Sequence, residues 1–287
     1  MEEKNLRHIS DPYDAYTNIR FKSYDQGVMW LEDNVELMSL CFGYDKSELT
    51  DIIARLEAQV TDMAKIVTHT YQKEMDQVLS DKKFTFAIVG CSFSSEYLSY
   101  FNVIKRVLEP YRGIRIIDAA VTAETVPQTI MHIYNRALHY QPDITSLFMG
   151  VNDMRRNNDV YSKNNVSPDE FYRDINYLVK VLTQGGKDVI LNTITPSNLM
   201  VLQNSIRDKN WTYHVDDWDT FNGILRKLAD INGCVLNDQA LALDTQFHGT
   251  INIPENGLHL TREAQEFLAL QFMRVFLETV KLRFQNK

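Results

Sequence analysis

Apolar residues recur at helical spacing in two stretches within the first 80 positions of the chain. From residue 47 to residue 80 they recur at alternating steps of three and four, and no glycine or proline interrupts them. With Asp45 or Ser47 as the cap, this pattern predicts one helix of roughly 45 Å, at about 1.5 Å per residue. A second apolar group between residues 28 and 40 predicts a shorter helix that ends near Gly43. The stripe of the long helix consists of Ile53, Leu56, Val60, Met63 and Val67.

Residues 1–82 are therefore interpreted as a helical N-terminal extension. The apolar stripe of its long helix either packs against the rest of the chain or forms the coiled-coil seam of a homo-oligomer. Packing within the chain is the favoured alternative, because the heptad spacing holds for only about two heptads. A homo-oligomer through these helices remains an open alternative.

Beyond residue 82, short β-rich runs alternate with amphipathic helical segments. The run at 84–90 is apolar throughout and ends in glycine, as is typical of a buried parallel strand. Alternation of strands with helices implies right-handed crossovers, so residues 83–287 are predicted to form a parallel sheet with helices on both faces. Four further strands are expected at 113–121, 143–150, 188–196 and 233–238. Helices are expected at about 95–109, around 130–138, at 168–184, over 220–231 and at 261–284.

Composition and charge narrow the class of protein. The 287 residues are 44% hydrophobic and 24% charged, which is the globular range, and the net charge of −8 opposes contact with nucleic-acid phosphates. Neither an apolar run of about 18 residues nor an apolar signal segment is encoded, so we expect no membrane partner and no export. Three scattered cysteines indicate reduced thiols, a cytoplasmic location and no disulfide or zinc site.

Polar residues follow three of the predicted strands and precede the closing helix. Ser92 follows the first strand, the loop around Ala123 follows the second, and Asn152 follows the third. His259 lies in the turn before the last helix, and ligands of parallel sheets bind beyond the carboxyl ends of the strands. A serine hydroxyl that attacks a carbonyl needs an imidazole to take its proton, so we interpret Ser92 as a nucleophile and His259 as its base. The amide of Asn152 and the main-chain N–H groups of Ser92 and Ala123 are candidate donors to the resulting oxyanion.

Each of these residues also has a structural alternative. Ser92 can cap the helix that follows it, Asn152 can bond its own turn, and His259 can be a surface histidine. Cys91 is an alternative nucleophile, because a helix N-terminus can lower the pKa of a thiol. Its side chain is nevertheless expected to point to the opposite side of the turn.

The same residues resemble the sequence blocks of the SGNH (GDSL-like) hydrolase family. The resemblance runs from about Phe84 to Phe276 in the order of the family's blocks. Its most specific parts are G-x-N-D at 150–153 and G-L-H-L-T at 257–261. It implies a flavodoxin-like three-layer α/β/α fold and ester hydrolysis without a metal or organic cofactor. The implied catalytic positions are Ser92 (nucleophile), Ala123 (the glycine of the second block), Asn152 (oxyanion hole) and His259 (base).

Three positions depart from the family pattern. Cys91 stands where the family usually has an aspartate, and Ala123 adds a methyl group that requires a permitted φ and narrows the substrate space. Asn256 replaces the aspartate of D-x-x-H, so the amide can accept a hydrogen bond from His259 but carries no negative charge. In a serine protease the comparable change costs about 10⁴ in kcat. The nearest carboxylates by sequence that can compensate are Glu255, Asp216 and Asp217.

Three functions are consistent with this pattern. The favoured one is a serine ester hydrolase that acts through an acyl-enzyme on a small acyl ester, such as an acetylated carbohydrate. The departures at Ala123 and Asn256 leave open a weakened or inactive binding protein of the same fold. The third is an O-acyltransferase, in which an alcohol replaces water. The segments 154–167 and 197–218 are expected to border the site as a loop and a wall or lid.

Overall fold

The computed structural model describes Tyr16, Ile19, Arg20 and residues 34–157, 162–205, 211–248 and 257–285. The helices are α1 (Val35–Phe42), α2 (Lys46–Leu79), α3 (Ser92–Ser95), α4 (Tyr100–Leu108), α5 (Val126–Arg136), α6 (Val151–Met154), α7 (Pro168–Thr183), α8 (Leu199–Ser205), α9 (Val215–Asn232), α10 (Gln239–Phe247) and α11 (Arg262–Gln285). The strands are β1 (Phe84–Gly90), β2 (Ile114–Asp118), β3 (Ile144–Phe148), β4 (Arg156–Asn157), β5 (Asp188–Asn192), β6 (Trp211–Thr212) and β7 (Val235–Asn237).

Five of these strands form a parallel sheet in the order β2-β1-β3-β5-β7. Counted along the sheet strands alone, this is the 2-1-3-4-5 order of flavodoxin-like folds. All five predicted strands are present, and each begins and ends within or at the limits expected from the sequence. β1 ends at Gly90 as expected, whereas β2 and β3 end three and two residues before their predicted limits. β4 and β6 form a separate antiparallel pair.

Helices cover both faces of the sheet. On one face α4 packs with α11, and on the other α7 packs with α5 and α9. The central strands β1, β3 and β5 are buried from both sides, so their sequences do not alternate between apolar and polar residues, whereas the edge strand β2 has exposed positions. The three-layer α/β/α architecture expected from the sequence is therefore confirmed.

The long helix α2 packs against α4 and α11. Asp45 caps it by accepting from the main-chain N–H groups of Ser47 and Glu48. The stripe residues Leu56, Val60, Met63 and Val67 are buried in the same apolar cluster as the sheet, as the packing alternative requires. An ion pair of 2.6 Å between Glu57 and Arg106 adds a polar contact to α4. The predicted division of the chain into residues 1–82 and 83–287 stays a prediction. The buried residues of α2 belong to the same apolar core as the sheet, so the core does not mark a boundary at residue 82.

Several helical segments differ from the sequence prediction: α6 and α8 were not expected as helices, and α9 begins at Val215 rather than at residue 220. The helix expected at about 95–109 is split into α3 and α4, because Glu96 leaves the helical region at ψ 153° and Ser99 caps the second piece. The helix α10 was not predicted, since of its nine residues only Gln239 and Leu243 are buried and no apolar stripe results. None of the helices in the described ranges combines the length and the apolar composition that a membrane-spanning segment requires.

Candidate active site

Ser92 and His259 meet at the carboxyl edge of the sheet. Ser92 begins α3 directly after β1, and His259 lies in the turn before α11. The Nε2 atom of His259 is 3.0 Å from the Oγ atom of Ser92, across 167 positions of sequence. The two residues are 6% and 9% exposed, so the contact is largely shielded from water. A neutral imidazole at this distance can accept the proton of the hydroxyl.

The ring of His259 is held by an aromatic stack. It packs on Phe93 with the ring centroids 5.0 Å apart, and Phe93 packs in turn on Phe148 at 5.4 Å. Burial, with a smaller contribution from the positive charge of Arg20, lowers the pKa of His259 to about 3. The imidazole is therefore neutral at neutral pH, and the imidazolium that forms when it takes a proton is disfavoured.

The loop after β2 carries Ala123, which has a positive φ of 61° and an exposed side chain. Left-handed backbone favours glycine, which agrees with the glycine that the family places here. Thr122, on one side of Ala123, shares a 2.9 Å hydrogen bond with Ser95 of α3. The carbonyl of Glu124, on the other side, accepts from Asn152 Nδ2 at 3.0 Å. The loop is thereby fastened to both neighbouring strand ends.

Asn152 and Asp153 lie in α6, immediately after β3. The sheet register pairs Gly90 with Phe148, so the chain leaves β1 and β3 at the same level. Asn152 is 6% exposed, and Asp153 is fully buried. Asp153 Oδ1 accepts from the main-chain N–H of Val126 at 2.8 Å, which joins this turn to the start of α5. Burial raises the pKa of Asp153 to about 7.

Gly150 precedes this turn with a φ of 124°. A Cβ atom at this position would lie 2.5 Å from Ile194 and 3.1 Å from Phe171, so a side chain does not fit. Both the backbone conformation and the close packing therefore require glycine in the first position of G-x-N-D.

An ion pair with a buried glutamate holds the Ala123 loop to α5. Glu124 is 2% exposed, and its carboxylate is paired with the guanidinium of Arg136 on α5. Thr129 also donates to Glu124 Oε2, at 3.1 Å. The pair links the Ala123 loop to α5 and so limits its movement. An N–H group on the loop can stabilise an oxyanion only if its position is fixed.

Cys91 does not have the environment of a reactive thiol. It is completely buried, and desolvation raises its pKa to about 12. A thiol with this pKa stays protonated at neutral pH, whereas the neighbouring Ser92 contacts a base. The thiol-nucleophile alternative is therefore disfavoured.

Asn256 and Glu255 lie outside the described residues. Asp217, another candidate to replace the family aspartate, is engaged elsewhere: both of its oxygens accept from Arg156 at 2.8 Å, and Asn164 donates to it at 3.1 Å. Asp216 is exposed on the first turn of α9. Within the described ranges, no group of three His, Cys, Asp or Glu side chains is arranged to hold a metal ion.

Sequence reasoning missed three contributors to this site. Phe93 stacks on His259, Glu124 anchors the Ala123 loop, and Arg20 reaches the site from the N-terminal region. Phe93 follows Ser92 and Glu124 follows Ala123 in the sequence, and only this proximity to candidate residues could have indicated them. Arg20 belongs to no motif and to no apolar stripe, so nothing in the sequence distinguished it.

Comparisons with known proteins bear on the fold. No family model matches the chain, and no curated protein matches it by sequence. Among solved structures, the acetylxylan esterase of Geobacillus stearothermophilus is similar at 17% identity and a TM-score of 0.55, over 69% of this chain and 95% of that one. A lipase/acylhydrolase from Enterococcus faecalis is similar at 18% identity and a TM-score of 0.55, over 68% and 96% of the two chains. An alpha/beta hydrolase enzyme from the metagenome of Lake Arreo in Spain has 18% identity and a TM-score of 0.53. The chain therefore has an SGNH hydrolase-like fold.

Proposed function

We propose that this protein is a serine ester hydrolase that acts through an acyl-enzyme. The observation that carries the proposal is the 3.0 Å contact between His259 Nε2 and Ser92 Oγ at the carboxyl edge of the sheet. The contact places a nucleophile within hydrogen-bond reach of a base. Because the two residues are 167 positions apart in sequence, the fold of the chain brings them together. The esterases among the structures of similar fold support the same chemistry.

The reaction uses the imidazole twice. As Ser92 Oγ attacks the ester carbonyl carbon, His259 Nε2 takes the hydroxyl proton, and the carbonyl electron pair moves to oxygen. Collapse of this tetrahedral intermediate breaks the carbon–oxygen bond, and the imidazolium gives its proton to the departing alcohol. A water molecule then attacks the acyl-enzyme, His259 takes one of its protons, and the second collapse releases the acid and restores Ser92.

Charge on the carbonyl oxygen requires fixed N–H donors. The amide of Asn152 and the main-chain N–H groups of Ser92 and Ala123 are the proposed donors. Asn152 is held through the carbonyl of Glu124, so it is oriented before substrate binds. Loss of one such donor costs about 3 kcal/mol of transition-state stabilisation, or roughly 10² to 10³ in rate.

The substrate that fits this arrangement is a small acyl ester. The methyl group of Ala123 is exposed at the rim, where the family glycine leaves more space for the acyl group. An acetyl group is the smallest common acyl unit of this kind, and the similar structure from Geobacillus stearothermophilus is an acetylxylan esterase. We therefore propose an acetylated carbohydrate as the substrate class.

Hydrolysis of p-nitrophenyl acetate tests this proposal. Ser92→Ala and His259→Ala should each lose at least about 10³ of kcat, because the nucleophile or its base is gone. Ser94→Ala is the matched control: Ser94 lies two positions away, is 1% exposed, and its hydroxyl has no hydrogen-bond partner in the described part of the chain. It should keep the wild-type rate. A wild-type rate in Ser92→Ala would overturn the hydrolase.

A catalytically weakened binding protein is the second candidate, and one observation favours it. The low pKa of His259 opposes formation of the imidazolium, which both proton transfers require. If wild type shows no turnover that depends on Ser92, while acetylated oligosaccharides still bind to it, this second function replaces the first.

A further inference from the structure

Arg20 is a buried cation that the N-terminal region contributes to the site. It is 2% exposed, and Ile19 beside it is fully buried in the apolar core. Its Nη2 atom donates to the carbonyl of Leu260 at 3.0 Å. Its own carbonyl accepts from the main-chain N–H of Tyr97 at 3.0 Å. One residue thereby makes hydrogen bonds to two loops that are far apart in sequence.

These two loops carry Ser92 and His259. Leu260 follows His259 directly, so a donor on its carbonyl holds the Leu260–Thr261 peptide unit and restrains the main chain beside the histidine. Tyr97 follows α3, which begins at Ser92 and is closed by the N–H of Glu96 donating to the Ser92 carbonyl at 2.8 Å. A bond at Tyr97 therefore holds the far end of the turn that presents the hydroxyl.

We propose that Arg20 is a positioning residue that holds the Ser92 loop and the His259 loop together, so that the N-terminal extension completes the active site. This inference rests on the proposed function, because it assigns a role in the reaction of that serine–histidine pair. It also gives the N-terminal extension a use that its packing against α4 and α11 does not explain.

Packing alone does not account for a guanidinium at this position. Moving a cation out of water is unfavourable unless hydrogen bonds compensate, whereas an apolar side chain of similar length fills the same space without that loss. Within the described residues, the guanidinium provides an N–H donor that reaches the carbonyl of Leu260. Small displacements of catalytic groups are costly, since about 1 Å can reduce a rate by roughly 10²-fold.

The charge of Arg20 acts against its positioning effect. In a serine–histidine–aspartate site, the third residue both orients the imidazole and stabilises the imidazolium. Arg20 can help to orient His259, but its positive charge opposes the imidazolium and contributes to the low pKa of that residue. Removal of the side chain therefore has two opposite effects, and we expect the loss of positioning to dominate, because burial lowers the pKa of His259 more than the charge of Arg20 does.

Kinetics of Arg20→Met and Arg20→Lys test the proposal. Arg20→Met keeps an unbranched apolar stem but removes the donor and the charge, and kcat should fall by roughly 30- to 100-fold while KM changes by less than about threefold. Arg20→Lys keeps a donor and the charge and should recover most of that loss. An unchanged or increased kcat in Arg20→Met would overturn the proposal.

A matched pair of core variants covers the case in which Arg20→Met does not fold. Ile19 and Ile52 are 0% and 1% exposed, so truncation of either to alanine removes the same atoms from the core. Ile19→Ala loosens the segment that holds Arg20 and should lower kcat by about tenfold or more. Ile52→Ala lies on α2, away from Arg20 in sequence, and should keep the wild-type kcat. Equal kcat values in the two variants would contradict the positioning role.

Hydrogen exchange separates this inference from the proposed function. In Arg20→Met, the peptide covering 257–262 should exchange faster than in wild type, because the side-chain donor to Leu260 is lost. The peptide covering 92–99 should change less, because the main-chain carbonyl of residue 20 still accepts from Tyr97. Unchanged exchange at 257–262 means that the Arg20 side chain does not hold the His259 loop, even if the enzyme is active. Faster exchange in a protein without Ser92-dependent activity supports the bridge and rejects the hydrolase.

Discussion

Replacement of Asp153 by asparagine is expected to change how stability depends on pH. Asp153 is fully buried beside Asn152, and burial raises its pKa to about 7 from an ordinary value of 3.8. The folded state therefore holds this proton more tightly than the unfolded chain does. Its contribution to stability is fully present below about pH 4 and is lost as the pH rises to about 7. At about 1.4 kcal/mol per pH unit, the loss amounts to at most about 4 kcal/mol.

Asparagine matches the shape of the protonated acid and does not titrate. Its Oδ1 can still accept from the N–H of Val126, the bond that Asp153 makes at 2.8 Å. We expect Asp153→Asn to be more stable than wild type at pH 8, and the advantage to shrink toward pH 4. Urea unfolding at intervals of one pH unit measures this difference.

The surface variant Asp244→Asn is the control for this measurement, since Asp244 is exposed on α10. It should follow the wild-type dependence on pH. If Asp153→Asn instead loses stability between pH 4 and pH 8 as steeply as wild type does, then Asp153 is not the buried titrating group, and the reasoning is refuted.

Two further predictions concern the reaction. Ala123→Gly removes a methyl group from a residue with left-handed backbone, so the free energy of unfolding should change by no more than about 1 kcal/mol. The rate with p-nitrophenyl butyrate relative to that with p-nitrophenyl acetate should rise. An unchanged ratio would show that Ala123 does not limit the size of the acyl group. Because the pKa of His259 is about 3, kcat/KM should stay level from pH 8 down to about pH 5, and a decline centred near pH 6.5 would mean that the imidazole is better solvated than its burial indicates.

Much of the fold was predictable because its elements have strong local signals. The strand β1 is a continuous apolar run that ends in glycine, and α2 has both a cap and a regular stripe. The helix α10 had neither kind of signal, and the break between α3 and α4 depends on a change of backbone angle at Glu96 that no composition rule indicates.

The candidate site shows the same division. Ser92, Asn152 and His259 were identified because they follow strand ends or precede a helix, and parallel topology brings such positions to one edge. Arg20 donates to Leu260, a residue 240 positions away. A single arginine in a polar segment forms no periodic pattern, so the sequence does not predict this contact. Contacts of this kind depend on the path of the chain in three dimensions.

A covalent label on Ser92 is the most direct test of the central claim, which is that His259 activates Ser92 for attack. A fluorophosphonate probe reacts with a serine oxygen once a base removes its proton, and intact mass with peptide mapping locates the adduct. We predict one adduct per chain, on Ser92, none in Ser92→Ala, and labelling slowed by at least about 10²-fold in His259→Ala. Absence of an adduct from wild type, or an adduct on Cys91 or Ser94 instead, would contradict the account.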